Sequence, residues 1–401
     1  MVGSAVSGLS AYAAVSLGIR TYGAAAFAPV SVIWTFWALS TAMLAFPLQH
    51  WIIRQVRLDG HEGGVRGSLR RVAVGVIGAA AGIGAIAFIW RVPFFGETRA
   101  IWPIVVIFVA LGSAGFGAVR GILAARGRFY ALASALALEN LLRLVAAGMV
   151  VILAGSLALF ATTLVVGPLV GLGWPSVFRS RAPRLEPLRV LGFLAGVGGG
   201  TLASQVILTF GPAALALIGG QPEAVTGLFV SLALFRAPYV VAIGVAPRLT
   251  GPLAGLVAAG RRDRMRRLIV TGIGVTFVGA GFVAVFAHWV GADLIELIFG
   301  ANVAPSPTAL VGVGVGAVLA VGSLLLTIVI VAQGATRTIL LAWALAIVVA
   351  LVVLAGTSNE PLGRVVVAFV VAEVVAFAVM AVAALSHAAG SGTDGDLRPT
   401  M

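Results

Sequence analysis

From Arg126 to Gly155 the chain reads RGRFYALASALALENLLRLVAAGMVVILAG. Two arginines open it, and the apolar run behind them is long enough, at ~1.5 Å per helical residue, to cross the ~30 Å of hydrocarbon in a bilayer. Glu139 and Arg143 lie inside that run, four residues apart and therefore on one face of the helix. A segment of this kind is a membrane-spanning helix with one polar stripe, and it sets the class of the whole molecule.

Comparable runs recur on both sides of it. Reading outward gives twelve spans, at residues 2–18, 27–52, 72–90, 101–120, 131–153, 157–178, 190–218, 225–247, 268–290, 309–332, 338–356 and 363–386. The first run, Val2 to Gly18, has no basic residue ahead of it and is read as a span rather than a cleaved signal. Composition agrees, because 61% of the 401 residues are hydrophobic and 10% charged, against about 25% charged in a soluble domain. All 26 basic residues are Arg. Twenty of them fall in one set of alternate loops or the tail, and only Arg20, Arg91, Arg99 and Arg364 in the other set. Since basic loops stay cytoplasmic, this asymmetry predicts cytoplasmic termini and an inner (plasma) membrane location.

The net charge of +13 is thus a topological signal, and nucleic-acid binding is not expected. The absence of Cys excludes disulfides, iron–sulfur clusters and thiol nucleophiles. No Walker sequence, His-Glu-x-x-His or nucleophile elbow occurs, so neither ATP hydrolysis nor any other visible catalytic motif is present. His50, His61, His288 and His387 are scattered, and no metal or cofactor site is expected.

Pro47 and Pro247 close spans two and eight, each followed by Gly60 or Gly260 and a basic run. With ILAARGRFYALASALALE at span five set against VIVAQGATRTILLAWALA at span eleven, the pattern predicts two six-helix lobes of one ancestry. Their expected limits are 1–186 and 187–386, with a disordered tail at 387–401. An all-α polytopic protein with two pseudo-symmetric lobes around a central cavity is the expected fold.

Charged residues near the bilayer centre are expensive and mark function or internal pairing. Arg143 lies ~18 Å into span five, and Arg236 ~16 Å into span eight, from opposite lobes. A cleft receiving both would attract a pyrophosphate. Against that, Glu139 and Arg143 are spaced to neutralise each other. Glu373, deep in span twelve, is either the partner of Arg236 or a protonatable coupling group. Gln49 and Gln205 are candidates for cavity hydrogen bonds. In span seven, Gly198, Gly199, Gly200 and Pro212 predict a kink or break that acts as a hinge or serves close packing.

Three stretches carry a family resemblance: FAPVSVIWTFWALSTAMLAFPLQHWIIRQ, RGILAARGRFYALASALALENLLRL and LFRAPYVVAIGVAPRLTGPLA. Together they resemble the polysaccharide, or lipid-linked oligosaccharide, flippases of the multidrug/oligosaccharidyl-lipid/polysaccharide (MOP) exporter superfamily. The resemblance implies alternating access, a central cavity for a polyprenyl-pyrophosphate-linked glycan, and contacts from Arg143 and Arg236 to its headgroup. Span one has no ionisable residue before Arg20, unlike cation-exporting relatives, which leaves Glu139 and Glu373 as deep carboxylates for any proton or cation coupling. The competing expectations are a cation-coupled multidrug exporter and a non-transporting component of an envelope-polymer assembly. The expected partners are the anionic lipid-linked glycan and membrane lipids.

Overall fold

The computed structural model describes residues 2–59, 63–174, 203–356 and 360–389. Among these the chain is helical and contains no strand. Eight helices of the described residues are long and apolar enough to cross a membrane: Ala24–Ile53, Val72–Ile89, Ile101–Ala125, Phe129–Ile152, Arg262–Trp289, Pro307–Ala332, Thr336–Gly356 and Pro361–Ala388. A bent pair, Pro222–Phe235 with Ala237–Ile243, makes a ninth. These nine fall on expected spans two to five and eight to twelve. The first expected span is helix α1, Val2–Tyr22. The sixth is shorter than expected, a 10-residue α-helix, Leu157–Val166, continued by a 3-10 helix, Gly167–Gly173. The first part of span seven, 190–202, the tail from 390 and the expected lobe boundary at 186/187 lie outside the described residues. The protein is a multi-pass helical membrane protein.

The chain divides into two compact units, Met1–Phe229 with Glu296–Val303, and Val230–Ile295 with Ala304–Met401. In the first, α2 (Ala24–Ser40) runs through a π-helical turn, Thr41–Ala45, into α3 (Phe46–Asp59). It is followed by α4 (Gly63–Ile89), α5 (Arg91–Phe95), α6 (Ile101–Ala125), α7 (Phe129–Ile152) and α8 (Leu157–Val166). Helix α6 is the hub, packed against α2, the π turn, α3 and α4, while α1 lies along α7. Small residues make that hub possible. A Cβ added at Gly117 would come within 2.6 Å of the Ala45 Cα, and one at Gly121 within 3.1 Å of the Gln49 Cα. With lipid on the outside, helices gain little from burying apolar surface, so close backbone approach supplies the cohesion.

Further along, a helical stretch at 203–209 is interrupted at Phe210, directly before Gly211–Pro212, and resumes as α9 (Gly211–Leu217). Proline lacks the N–H that would continue the ladder. The expected break is therefore present beside buried Pro212, while Gly198, Gly199 and Gly200 lie outside the described residues.

In the second unit the remaining helices are α10 (Pro222–Phe235, which starts in the first unit), α11 (Ala237–Ala258), α12 (Arg262–Trp289), α13 (Gly291–Phe299, which ends in the first unit), α14 (Pro307–Ala332), α15 (Thr336–Gly356) and α16 (Pro361–Ala389). Helix α14 is central, packed against α11, α12 and α16. Its Gly312, Gly316 and Gly322 are holes filled by Val366, Phe369 and Phe377 of α16. The segment around Asp293 and Glu296 forms α13. Within the first unit its C-terminal end is capped by α1: Arg20 donates to the carbonyl oxygens of Leu297 (2.7 Å) and Ile298 (3.4 Å), and Ser16 also donates to Ile298. Glu296 accepts from the Asn302 backbone N–H (3.1 Å), so its carboxylate is engaged by the turn.

Gly117→Val should destabilise the protein by about 1–3 kcal/mol through overpacking against Ala45, read as a lower midpoint of thermal unfolding in detergent. Gly115→Val should leave the midpoint unchanged, because nothing lies within 4 Å of a Cβ there. Equal behaviour of the two variants would refute the close α6 contact.

Candidate functional site

The polar stripe read from the sequence exists, and it is occupied by its own residues. Helix α7 places Glu139, Asn140 and Arg143 on one buried face. The Arg143 guanidinium is 1% exposed. It donates from Nη2 to Glu139 Oε1 at 3.2 Å and from Nη1 to Asn140 Oδ1 at 2.6 Å. Asn140 in turn donates to the Ser7 hydroxyl of α1 at 2.7 Å. Of the two readings of Glu139 and Arg143, the ion pair is the one this structure contains.

The walls of the site come from α2. Trp34 and Trp37, three residues apart and hence neighbours on one helical face, sit in T-shaped contact with centroids 5.2 Å apart. The Arg143 Cζ lies 5.1 Å from the Trp34 ring and 5.0 Å from the Trp37 ring. Both are within cation–π range, which strengthens where water is excluded. The 3-10 helix closes the other side. A Cβ at Gly167 would come within 3.0 Å of both Arg143 Nη2 and the Glu139 carbonyl oxygen, so that position accepts the backbone without a side chain. Arg143 Nε is buried and has no hydrogen-bond partner. Among the described residues, aromatic rings, a carboxylate, an amide and backbone surround the guanidinium.

Arg120 completes the electrostatics and is not found by reading the sequence. Its position beside Arg126 and Arg128 reads as a loop charge, whereas it lies more than a turn inside α6, with its Nε buried and unpartnered. The cation sits 5.5 Å from the Phe46 ring and 6.0 Å from the Phe116 ring. Glu139 is within Coulombic reach of both Arg120 and Arg143. Among the described residues of the first unit, two guanidinium groups thus lie near one carboxylate. Gln49, half-buried on α3 one turn from Phe46, has a buried side-chain oxygen without a hydrogen-bond partner. Such a cluster suits an anion better than a cation, since guanidinium groups pair with phosphate. A separate cavity of about 450 Å³ in the same unit, lined by Ala25, Pro29, Phe94, Phe95, Glu97 and Pro222 among others, is apolar and includes none of these residues.

The other expected residues are placed as follows. Arg236 is not in mid-helix: it is the N-cap of α11, half-buried, at a 44° bend between α10 and α11. Pro238, in the first turn of α11, supplies the physical cause and is the sequence signal for the bend. Glu373 of α16 is fully buried, and neither of its oxygens has a hydrogen-bond partner. Among the described residues no hydrogen bond from Arg236 or any other group reaches its carboxylate. It lies on the face of α16 that carries Phe369 and Phe377 onto α14, where the Ser323 hydroxyl is likewise buried and unpartnered. Gln205 is half-buried in the stretch before α9 and is engaged in an interaction.

Because Glu139 offsets a guanidinium that water cannot reach, Glu139→Ala should cost about 3–5 kcal/mol, the penalty for stranding a buried charge. Adding Arg143→Met to that variant should recover most of the loss in thermal unfolding. A double variant no more stable than Glu139→Ala would exclude an ion pair as the organiser of this site.

No protein-family model matches the sequence, and no curated protein does. Solved structures do match it over almost its whole length. The inward-facing conformation of a multidrug resistance MATE family transporter of the MOP superfamily superposes with a TM-score of 0.69 at 14% identity, covering 96% of each chain. The lipid II flippase MurJ in its inward closed conformation gives 0.66 at 11% identity, covering 95% of this chain and 86% of that one. A MATE transporter of Vibrio cholerae gives 0.57 at 17% identity, covering 96% and 93%. The first of these names the superfamily that the sequence resembles. The fold of this chain is the fold of the MOP-superfamily transporters.

Proposed function

We propose that this protein is a flippase that moves a polyprenyl-pyrophosphate-linked oligosaccharide, a cell-envelope polysaccharide precursor, across the inner membrane by alternating access between two six-helix lobes. The observation that carries the reading is that, among the described residues of the first unit, two guanidinium groups, Arg120 and Arg143, lie near a single carboxylate, Glu139. A drug-exporting site for cations needs the opposite sign. Trp37, half-buried beside Arg143, supplies the apolar ring face on which a sugar can stack. The fold supports transport as the class of activity, and the uneven sharing of Arg between alternate loops supports cytoplasmic termini.

The enclosure of Arg143 dictates how the headgroup is taken up. In the present state one donor of Arg143 goes to Glu139 and one to Asn140, and the group is buried, so a pyrophosphate gains its full fork of contacts only by displacing them. Phosphate oxygens accept the same fork of hydrogen bonds, which offsets the loss of those partners. Arg236, at its helix bend, is the second cationic contact on this reading, with Gln49 and Gln205 as hydrogen-bonding groups. Pro212 and the neighbouring glycines act as the hinge. Glu373 is the group for proton or cation coupling, because it is a buried carboxyl with no hydrogen-bond partner among the described residues, on the face of α16 packed against α14.

A second reading, a cation-coupled multidrug exporter, is favoured by the likeness to a multidrug resistance transporter. The two readings part on charge. Arg143→Gln and Arg120→Gln should each lower translocation of a pyrophosphate-linked saccharide in reconstituted vesicles by at least tenfold while the protein still folds. On the drug-export reading they should leave the saccharide irrelevant and sustain or raise efflux of cationic dyes. Wild-type rates of saccharide translocation in both variants would end the flippase proposal. For Glu373→Gln, which keeps shape and removes ionisation, the expected result is normal folding with loss of any dependence of transport on the imposed ion gradient. Gradient-dependent transport that persists would remove Glu373 from coupling.

A further inference from the structure

Helix α12 (Arg262–Trp289) has two unlike faces. Met265, Ile269, Thr276, Ala280 and Ala287 are buried, at the spacing of a single helical stripe packed onto α14. The opposite stripe is bare: Val278 is 75% exposed, Phe282 70%, Val285 61% and Trp289 75%. Only 17% of its apolar window is buried within the protein. An apolar surface of that extent on a membrane-spanning helix faces acyl chains.

That surface has a measurable length. From Leu268 to Trp289 the helix rises about 32 Å, which matches the ~30 Å of hydrocarbon in a bilayer. Trp289, with His288 beside it, ends the stripe where aromatic residues sit at a membrane interface. The other end meets the sequence Arg261-Arg262-Asp263-Arg264-Met265-Arg266-Arg267, whose five arginines are all exposed and which contains a single acid. Arg264 and Arg267 project from the same side of the helix as Val278, Phe282 and Val285, because steps of three and four residues connect them. Two guanidinium groups therefore stand at headgroup depth directly beneath a lane of lipid-facing side chains, flanked by Arg261 and Arg266.

We propose that this end of α12 is a docking surface for an anionic membrane phospholipid, whose phosphodiester is held by Arg264 and Arg267 while its acyl chains lie along Val278 and Phe282. The charge selects an anionic head over a zwitterionic one, because a zwitterion brings its own cation to a surface where five arginines already face one acid. The apolar lane selects a lipid over a soluble phosphate. This surface is separate from the Arg120–Glu139–Arg143 cluster and does not depend on what the protein transports.

The test uses the full-length protein in detergent and in nanodiscs of phosphatidylcholine with or without about 20 mol% phosphatidylglycerol, an anionic fraction chosen to give the bilayer a negative surface potential. Native mass spectrometry should show phosphatidylglycerol retained over phosphatidylcholine, and thermal unfolding should shift upward with phosphatidylglycerol alone. The Arg264→Gln/Arg267→Gln variant should lose that preference at least fivefold, whereas Arg337→Gln, an exposed arginine at the start of α15, should keep it. Inorganic phosphate at millimolar concentration should not displace the lipid. Should the double variant fail to fold, wild-type retention measured against NaCl concentration decides, since headgroup contacts of this kind weaken with salt. Equal retention of both lipids by the wild type, undiminished preference in the folded double variant, or full displacement by inorganic phosphate would each overturn the proposal.

Discussion

A guanidinium group held away from water governs the architecture of the first unit. Arg143 cannot be reached by solvent, so its charge has to be met by the protein. Glu139 meets it electrostatically, Asn140 by a hydrogen bond, and Trp34 and Trp37 with their ring faces. These partners come from α7 and α2, and Asn140 extends the link to α1 through Ser7. One charge thereby fixes the rotation of several helices that otherwise present interchangeable Ala, Leu and Val to one another. Apolar contacts between spans are poorly directional, and a polar cluster of this kind gives them an azimuth.

Glycine supplies the complementary constraint, which is distance. Gly117 and Gly121 let α6 approach the π turn and α3, and Gly312, Gly316 and Gly322 receive the side chains of α16. At Gly117 the neighbour is the backbone of Ala45, whereas the α14 hollows accept the side chains of Val366, Phe369 and Phe377. The second unit also buries an ionisable group within such a contact: Glu373 lies between Phe369 and Phe377 with no hydrogen-bond partner for either oxygen.

The pairing of Glu139 with Arg143 is legible four residues apart because the helical period brings such positions together whatever surrounds them. The same reasoning cannot find Trp34, Trp37 or Asn140 as partners, since they meet Arg143 through helix packing or through a side-chain direction that spacing alone leaves open. Arg120 is misplaced for a related reason. Counting from apolar runs ends a span at the first charge, whereas a long side chain lying over Phe46 and Phe116 allows α6 to continue past it. The bend at Arg236 is written in Pro238, a signal that counting hydrophobic residues passes over. The expected partnership of Arg236 with Glu373 rests on elimination among deep charges, and elimination carries no geometry.

By itself, then, the sequence determined the solvent and the local periodicity: runs of about twenty apolar residues permit only helices in lipid, and interruptions by Pro and Gly mark where those helices break. It also determined the resemblance to MOP-type exporters, which the fold bears out. Tertiary structure alone decided which charges are met within the protein and which stay bare on its surface. The physical reason is that a charge in an apolar medium is defined by what lies within a few ångströms of it, and the neighbours of Arg143, Arg120 and Glu373 include residues from other helices, brought there by packing that no local pattern encodes.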